Sequence, residues 1–157
     1  MIADYATRTP IYKVGKNKFK NYPFIYYNHY YPFLADIKPN DVAIIGAGGG
    51  REMIMALNFG AKNIYGVEFN PTFCWLLREK FKTISGNLVD RPEVNYINGE
   101  GRFFIQSSKK NFDVILLNNA ISQTAAASGA FSLSETYLYT VEAIMTYYKK
   151  LNKNGVL

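Results

Sequence analysis

Between Asp41 and Glu52 the chain reads DVAIIGAGGGRE, and few folds accommodate that order. Val42 to Ile45 is a short, apolar, β-branched run and predicts a buried strand of a parallel sheet. Four of the next five residues are glycine, and an amphipathic segment follows. Strand, glycine turn and helix in that order make a unit that binds phosphates or nucleosides. Glycine permits positive φ and has no Cβ, so a ligand can lie against bare backbone. The spacing is Gly46-x-Gly48-x-Gly50. A dinucleotide fingerprint wants its third glycine one residue later, where Arg51 stands, which argues against a nicotinamide or flavin cofactor. The competing reading is a glycine-rich turn without a ligand.

A second strand sharpens this. Ile64 to Glu68 is a short apolar run ending in an acid, and Glu68 lies 22 positions after Gly46. In nucleotide-binding βαβ units an acid about 20 residues on accepts hydrogen bonds from ribose hydroxyls. A carboxylate at that strand tip can take both hydroxyls together. A surface glutamate at a strand end is the plainer alternative, and the glycine turn at the right distance argues against it.

A length of 157 residues, 48% hydrophobic, suits one domain with a real core. One cysteine, Cys74, excludes an internal disulfide and fits a reducing, cytoplasmic compartment. No apolar run approaches the roughly 20 residues a membrane helix needs. Met1 to Pro10 has no apolar core of a signal peptide. With one histidine, His29, and one cysteine, a metal site is not expected. The net charge of +6 reads as solvated surface lysine.

Five ordered pieces carry a resemblance: VAIIGAGGGRE, GVEFNP, NYINGEGRFF, FDVILLNN, and FSLSETYLYTVEAIMTYY before LNKNGVL. From Val42 to Leu157 the chain resembles the S-adenosylmethionine-binding core of class I methyltransferases, and more narrowly the spermidine synthase (aminopropyltransferase) branch. The resemblance implies an α/β, Rossmann-like class I methyltransferase fold, with a central, mostly parallel sheet flanked by helices. It also implies a C-terminally truncated core over 41–157, preceded by an N-terminal arm over 1–40. It implies S-adenosylmethionine, or its decarboxylated form, as cofactor and a homodimer as assembly. Gly46, Gly48, Gly50, Arg51, Glu68, Glu100, Gly101 and Asn118 are the cofactor-binding residues so implied. An acid at position 100 would face the adenine amino group, where an aspartate is more usual, and Gly101 would let backbone approach the base.

In the arm, Ile11 to Lys20 reads as two short strands around Gly15-Lys16-Asn17. Lys16, Lys18 and Lys20 share one face, better explained as a charged edge strand than as a nucleic-acid contact. Tyr22 to Leu34 is dense in aromatics; the resemblance places such a segment over the site, though most of its rings should simply pack, and His29 reads as structural. Met53, Ile54 and Leu57 recur at helical spacing up to Gly60. Asn70-Pro71 starts the next helix, with Phe73, Leu76, Leu77 and Phe81 inward, Trp75 elsewhere and Cys74 packed. Strands are expected over Val94–Ile97 and Phe112–Asn119. Ala120 to Phe131 has the length and polarity of a lid. Ser132-x-x-Glu135 reads as a capping box. The helix behind it is expected to bury Leu138, Val141, Ile144, Met145, Tyr148 and Leu151 and to end at Asn154-Gly155, with a strand from Val156.

The chemistry departs from the resembling enzymes. An aminopropyltransferase uses acids in the glycine turn and after the fourth strand to attract an amine and remove its proton. The corresponding positions here are Gly49, Asn118 and Ile121, none of which is a base. Asn118 can position a substrate by hydrogen bonding. Methyl or alkyl transfer to a small acceptor is therefore favoured over polyamine synthesis. An aminopropyltransferase with its base elsewhere and a non-catalytic nucleoside-binding or scaffold module are the alternatives. Arg51 is a candidate to pair with the methionine carboxylate and so select the carboxylated cofactor. Glu52 either holds the α-amino group or favours the helix dipole.

Overall fold

A computed structural model of the chain describes residues 9–14, 37–117 and 136–157. Five strands form one sheet: β1 (Asp41–Ile45), β2 (Asn63–Glu68), β3 (Val94–Asn98), β4 (Phe112–Leu117) and β5 (Leu151–Val156). Their order is β3-β2-β1-β4-β5, every pair parallel. The helices are α1 (Arg51–Asn58), α2 (Pro71–Trp75), α3 (Gly101–Ser107) and α4 (Val141–Lys149). The expected α/β, Rossmann-like architecture with helices on both faces is what forms. Chain order runs outward from β1 to β3 and then returns to β4 on the other side of β1. Such a switch point opens a crevice at the carboxyl ends of the strands.

The apolar strands are buried on both faces, as a parallel sheet requires. Val42 and Ile44 point to one face and pack with Met53, Ile54, Leu77 and Leu88. Ala43 and Ile45 point to the other and pack with Ile105, Phe112, Ala143 and Tyr147. Full burial of a side chain such as Ile44 contributes roughly 1.5–3 kcal/mol. On the second face Tyr65, Phe104 and Phe112 meet with ring centroids 5.8–6.2 Å apart, which accounts for part of the aromatic excess.

The amino edge of the sheet is tied shut. One oxygen of Asp113 accepts the backbone N–H groups of Asn40 and Asp41 at 2.7 and 3.0 Å. The other accepts the Asn152 amide at 2.8 Å, joining β4 to the starts of β1 and β5. That leaves the carboxyl edge as the place where turns can hold a ligand.

Helix starts follow the sequence at α2, where the Asn70 side chain accepts from Thr72 N at 2.9 Å and Pro71 opens the helix. Beyond Trp75 the helix continues as a π-helical turn, Leu76–Lys80. The extra residue turns Leu76 and Leu77 inward together with Cys74, while Phe73 and Phe81 stay half-buried. Trp75 is exposed, as expected.

The C-terminal helix departs from the reading. It begins at Val141, with Thr140 as its cap, accepting from Ala143 N at 3.2 Å. Its buried residues are Ala143 and Tyr147, while Val141, Met145 and Tyr148 are exposed. It stops at Lys149, because Leu151–Val156 pairs with β4. Asn154, at φ 68, and Gly155 lie inside an irregular strand rather than ending a helix. The capping box, the lid segment, the aromatic segment with His29, and Lys16, Lys18 and Lys20 lie outside the described residues, as do Asn118 and Ile121.

Candidate functional site

The glycine turn leaves β1 and doubles back against β2. Gly46 N and Ala47 N both donate to the Val67 carbonyl, at 2.9 and 3.1 Å. Gly46, Gly48 and Gly50 have φ of 78°, 46° and 90°, a region that side chains resist. The central peptide is held by two side chains. Gly48 N–H donates to Glu68 Oε2 at 2.9 Å. The Gly48 carbonyl accepts the Tyr96 hydroxyl at 2.8 Å. Glu68 therefore faces the turn.

Glu68 is itself fixed. Its second oxygen accepts Asn70 N–H at 2.7 Å. Its carbonyl takes the Asn98 amide at 2.9 Å and Gly99 N–H at 3.0 Å, so the ends of β2 and β3 are pinned together. A carboxylate has about four lone-pair sites, so two backbone donors leave acceptor capacity for two hydroxyls. Held by neutral donors and 9% exposed, it is a rigid acceptor pair beside a bare bend.

The glycines differ in purpose. A Cβ at Gly48 would meet Thr9 Cγ2 at 3.1 Å and stand 4.0 Å from Glu68 Oε2. At Gly50 it would run into Leu88 Cδ2 and come within 3.2 Å of Met53 Cε, so this glycine lets the 3-10 turn Leu88–Asp90 close on α1. At Gly101 it would run into Ile45 Cγ2, so the bare position seats α3 on β1. Packing of α3 on β1 therefore requires glycine at 101 whether or not a ligand lies nearby.

Glu100 lies at the same carboxyl edge as the cap of α3. Its oxygens accept Arg102 N–H at 2.8 Å and Phe103 N–H at 2.7 Å. Arg51 and Glu52 pair with each other, Arg51 Nε to Glu52 Oε1 at 2.6 Å, with Glu52 only 2% exposed. The expectation that they take opposite ends of a ligand's amino-acid tail meets a protein in which each engages the other.

Cys74 is packed and its thiol donates to the Glu68 carbonyl, Sγ to O 3.7 Å. Burial is the main force pushing this thiol up, which suits packing rather than nucleophilic attack. Burial, with Cys74 and Glu68 beside it, also pushes the Tyr96 phenol far up, so it stays a donor to Gly48. Arg78 lies 5.8 Å from the centroid of the same ring and donates to the Tyr96 carbonyl.

Three residues escaped the sequence reading. Tyr96 is one, although an inward tyrosine on a buried strand must find a partner for its hydroxyl. Phe69, 76% exposed directly after Glu68, and Phe103, 67% exposed in the first turn of α3, are the others. Exposed rings at the carboxyl edge offer flat apolar surface to a base. Among the described residues no three His, Cys, Asp or Glu side chains come together as metal ligands, and no helix is long and apolar enough to cross a membrane.

Residues 28–157 match the family model described as the spermine/spermidine synthase domain. No curated protein sequence matches the chain significantly. Among solved structures it is similar to a spermidine synthase in complex with the transition-state analogue AdoDATO, with a TM-score of 0.54 and 21% identity over 80% of this chain and 40% of that one. The spermidine synthase of Thermotoga maritima is similar at a TM-score of 0.53 and 20% identity, over 80% and 41% of the two chains. Human methyltransferase-like protein 13 in complex with SAH is similar at a TM-score of 0.59 and 15% identity, over 81% and 59%. The chain spans about 40% of the length of the spermidine synthases it resembles.

Proposed function

The chain belongs to the spermine/spermidine synthase domain family, and from that premise we propose that it binds an adenosyl sulfonium ligand at the carboxyl edge of its sheet and serves a transferase. The observation that carries this is the clasp on Gly48, held through its N–H by Glu68 and through its carbonyl by Tyr96. The outward lone pairs of Glu68 accept the two ribose hydroxyls, and Phe69 and Phe103 flank the base. Gly46 and Gly48 offer bare backbone, and Gly50 sets the turn's geometry. Glu100, Gly101 and Asn118 complete the proposed adenosyl site. The neighbours' ligands, AdoDATO and SAH, support a ligand of this chemical class.

S-adenosylmethionine is the preferred ligand and a small molecule the acceptor. When bound, the ligand supplies a good leaving group, so the protein's task is alignment. Position 49 carries no carboxylate to neutralise a polyamine, which favours methyl or alkyl transfer. Arg51, fixed at the start of α1 by Glu52, is the proposed selector of a carboxylated tail. The cytoplasm is the proposed compartment and a homodimer the proposed assembly.

A thermal-shift panel of S-adenosylmethionine, its decarboxylated form, SAH and methylthioadenosine tests the reading. A ligand at about 100 times its dissociation constant stabilises by roughly 2.7 kcal/mol. No shift with any of them overturns it. The family itself favours a second reading, aminopropyl transfer from the decarboxylated ligand. Formation of spermidine from putrescine would establish that reading instead.

A further inference from the structure

Gly49 is the one residue of the glycine turn whose identity its backbone does not explain. Its φ is not positive, so it lacks the left-handed backbone that calls for glycine at 46, 48 and 50. Space excludes a side chain. A Cβ there would run into the Pro10 carbonyl oxygen, with the Pro10 carbonyl carbon at 3.0 Å and Ile11 Cγ1 at 3.3 Å. One residue earlier, a Cβ on Gly48 would meet Thr9 Cγ2 at 3.1 Å. The strap 9–14 thus lies across the turn on the side where Gly48 meets Glu68.

The strap is anchored away from the turn. Val14 is buried in the core, and its N–H donates to the Ile84 carbonyl at 2.8 Å. Gly86, at φ 67, stands against it, since a Cβ there would lie 3.1 Å from Val14 Cβ. Ile11 and Tyr12 pack on the same core cluster. A segment held at Val14 and pressed on Gly48 and Gly49 is a built part of the domain.

We propose that Thr9–Pro10–Ile11 is a wall of the ligand site and sets what the site accepts beyond the ribose. The proposal rests on the adenosyl reading above. With ribose hydroxyls at Glu68, a substituent extending over the turn passes Gly48 and then Gly49. There it meets the strap, with the Pro10 carbonyl in the place a side chain at position 49 would take. A peptide carbonyl accepts a hydrogen bond but brings no formal charge. The wall therefore favours a tail or acceptor with a single N–H donor at this point, and disfavours a polycation that needs carboxylate partners.

The test compares SAH, which carries an amino-acid tail, with methylthioadenosine, which carries only a methylthio group, by calorimetry. Gly49→Ala must displace the strap. Exchange of the Val14 amide should accelerate by about tenfold or more while the amides of β1 keep their protection. The ratio of the two affinities should move by about three- to tenfold, with methylthioadenosine nearly unaffected. Pro10→Gly loosens the strap without adding an atom at position 49, and the same direction is expected if Gly49→Ala fails to fold. An unchanged ratio with the Val14 amide exchanging faster overturns the wall, and so does an unaltered Val14 amide in both variants. If the unaltered protein binds neither nucleoside, the adenosyl reading falls first and the wall with it; if it binds both and the ratio stays fixed, only the wall falls.

Discussion

Tyr96 on β3 donates its hydroxyl to the Gly48 carbonyl at 2.8 Å, across 48 residues of sequence. The bond fixes the orientation of the peptide whose N–H reaches Glu68. Tyr96→Phe removes the donor and leaves a partly buried carbonyl without it, at a cost of about 1–3 kcal/mol. Chemical denaturation should show that loss, and S-adenosylmethionine affinity should fall with it. Unchanged affinity would mean that the turn keeps its shape unaided.

Glu68 accepts from Gly48 and Asn70 with different oxygens, so its charge and both acceptors matter. Glu68→Gln turns an NH2 group towards one backbone N–H, donor facing donor. A charge-assisted hydrogen bond contributes about 1.5–3 kcal/mol, so adenosine affinity should drop roughly tenfold or more. Affinity for 2′,3′-dideoxyadenosine should barely respond. Equal losses for both nucleosides would place the effect in the fold, not in ribose contact.

Gly50 and Gly48 should respond differently to the same substitution. Gly50→Ala combines a φ of 90° with a collision against Leu88, and overpacking of this kind costs about 1–3 kcal/mol. Adding Leu88→Ala should make the pair's combined loss smaller than the two separate losses. Gly48→Ala carries backbone strain at φ 46° but meets only the end of Thr9, so it should cost less stability than Gly50→Ala while also lowering ligand affinity. Denaturation and calorimetry on the four variants, Leu88→Ala alone included, separate these outcomes.

Arg51 partners a carboxylate that is almost fully buried. Removing one member of such a pair strands the other's charge, typically at about 3–5 kcal/mol. Arg51→Ala should therefore lower the melting temperature well beyond an ordinary surface change. Arg51→Ala with Glu52→Gln should restore most of it. The double variant is then the right background for asking whether loss of the guanidinium equalises S-adenosylmethionine and its decarboxylated form.

Asp113 contributes to the acid side of stability. Burial raises its pKa, but the N–H of Asp41, the Asn152 amide and the N–H of Asn40 together outweigh that and hold it below the usual aspartate range. A folded pKa below the unfolded one contributes stability that is fully present above about pH 5. It is lost as pH falls through the folded value. Asp113→Asn should flatten the acid limb of a stability-against-pH curve; a limb of unaltered slope would exclude this group.

Much of the site was legible because it is local. Glycines at alternate positions after an apolar run, and an acid the length of one βα unit later, are spacings any reader can count. Tyr96 was not legible, since its hydroxyl reaches Gly48 only once β2 lies between β1 and β3 in the sheet. Glu100 was placed correctly at the carboxyl edge, yet both its oxygens cap α3, a use that a strand-end acid shares with ligand binding. The C-terminal helix was read too long because Leu151 continues the apolar spacing, and only pairing with Phe112 makes it strand.

From sequence alone came the α/β class, the four strands that begin at or next to Val42, Ile64, Val94 and Phe112, and the turn that faces Glu68. Periodicity and spacing encode these within a few residues of one another. Tertiary structure alone decided which glycine stands beside Glu68 and which admit a neighbouring side chain. It alone brought Thr9 and Pro10 over Gly48 and Gly49. The reason is physical: a missing Cβ looks the same in sequence wherever it occurs, and what fills its place comes from distant chain.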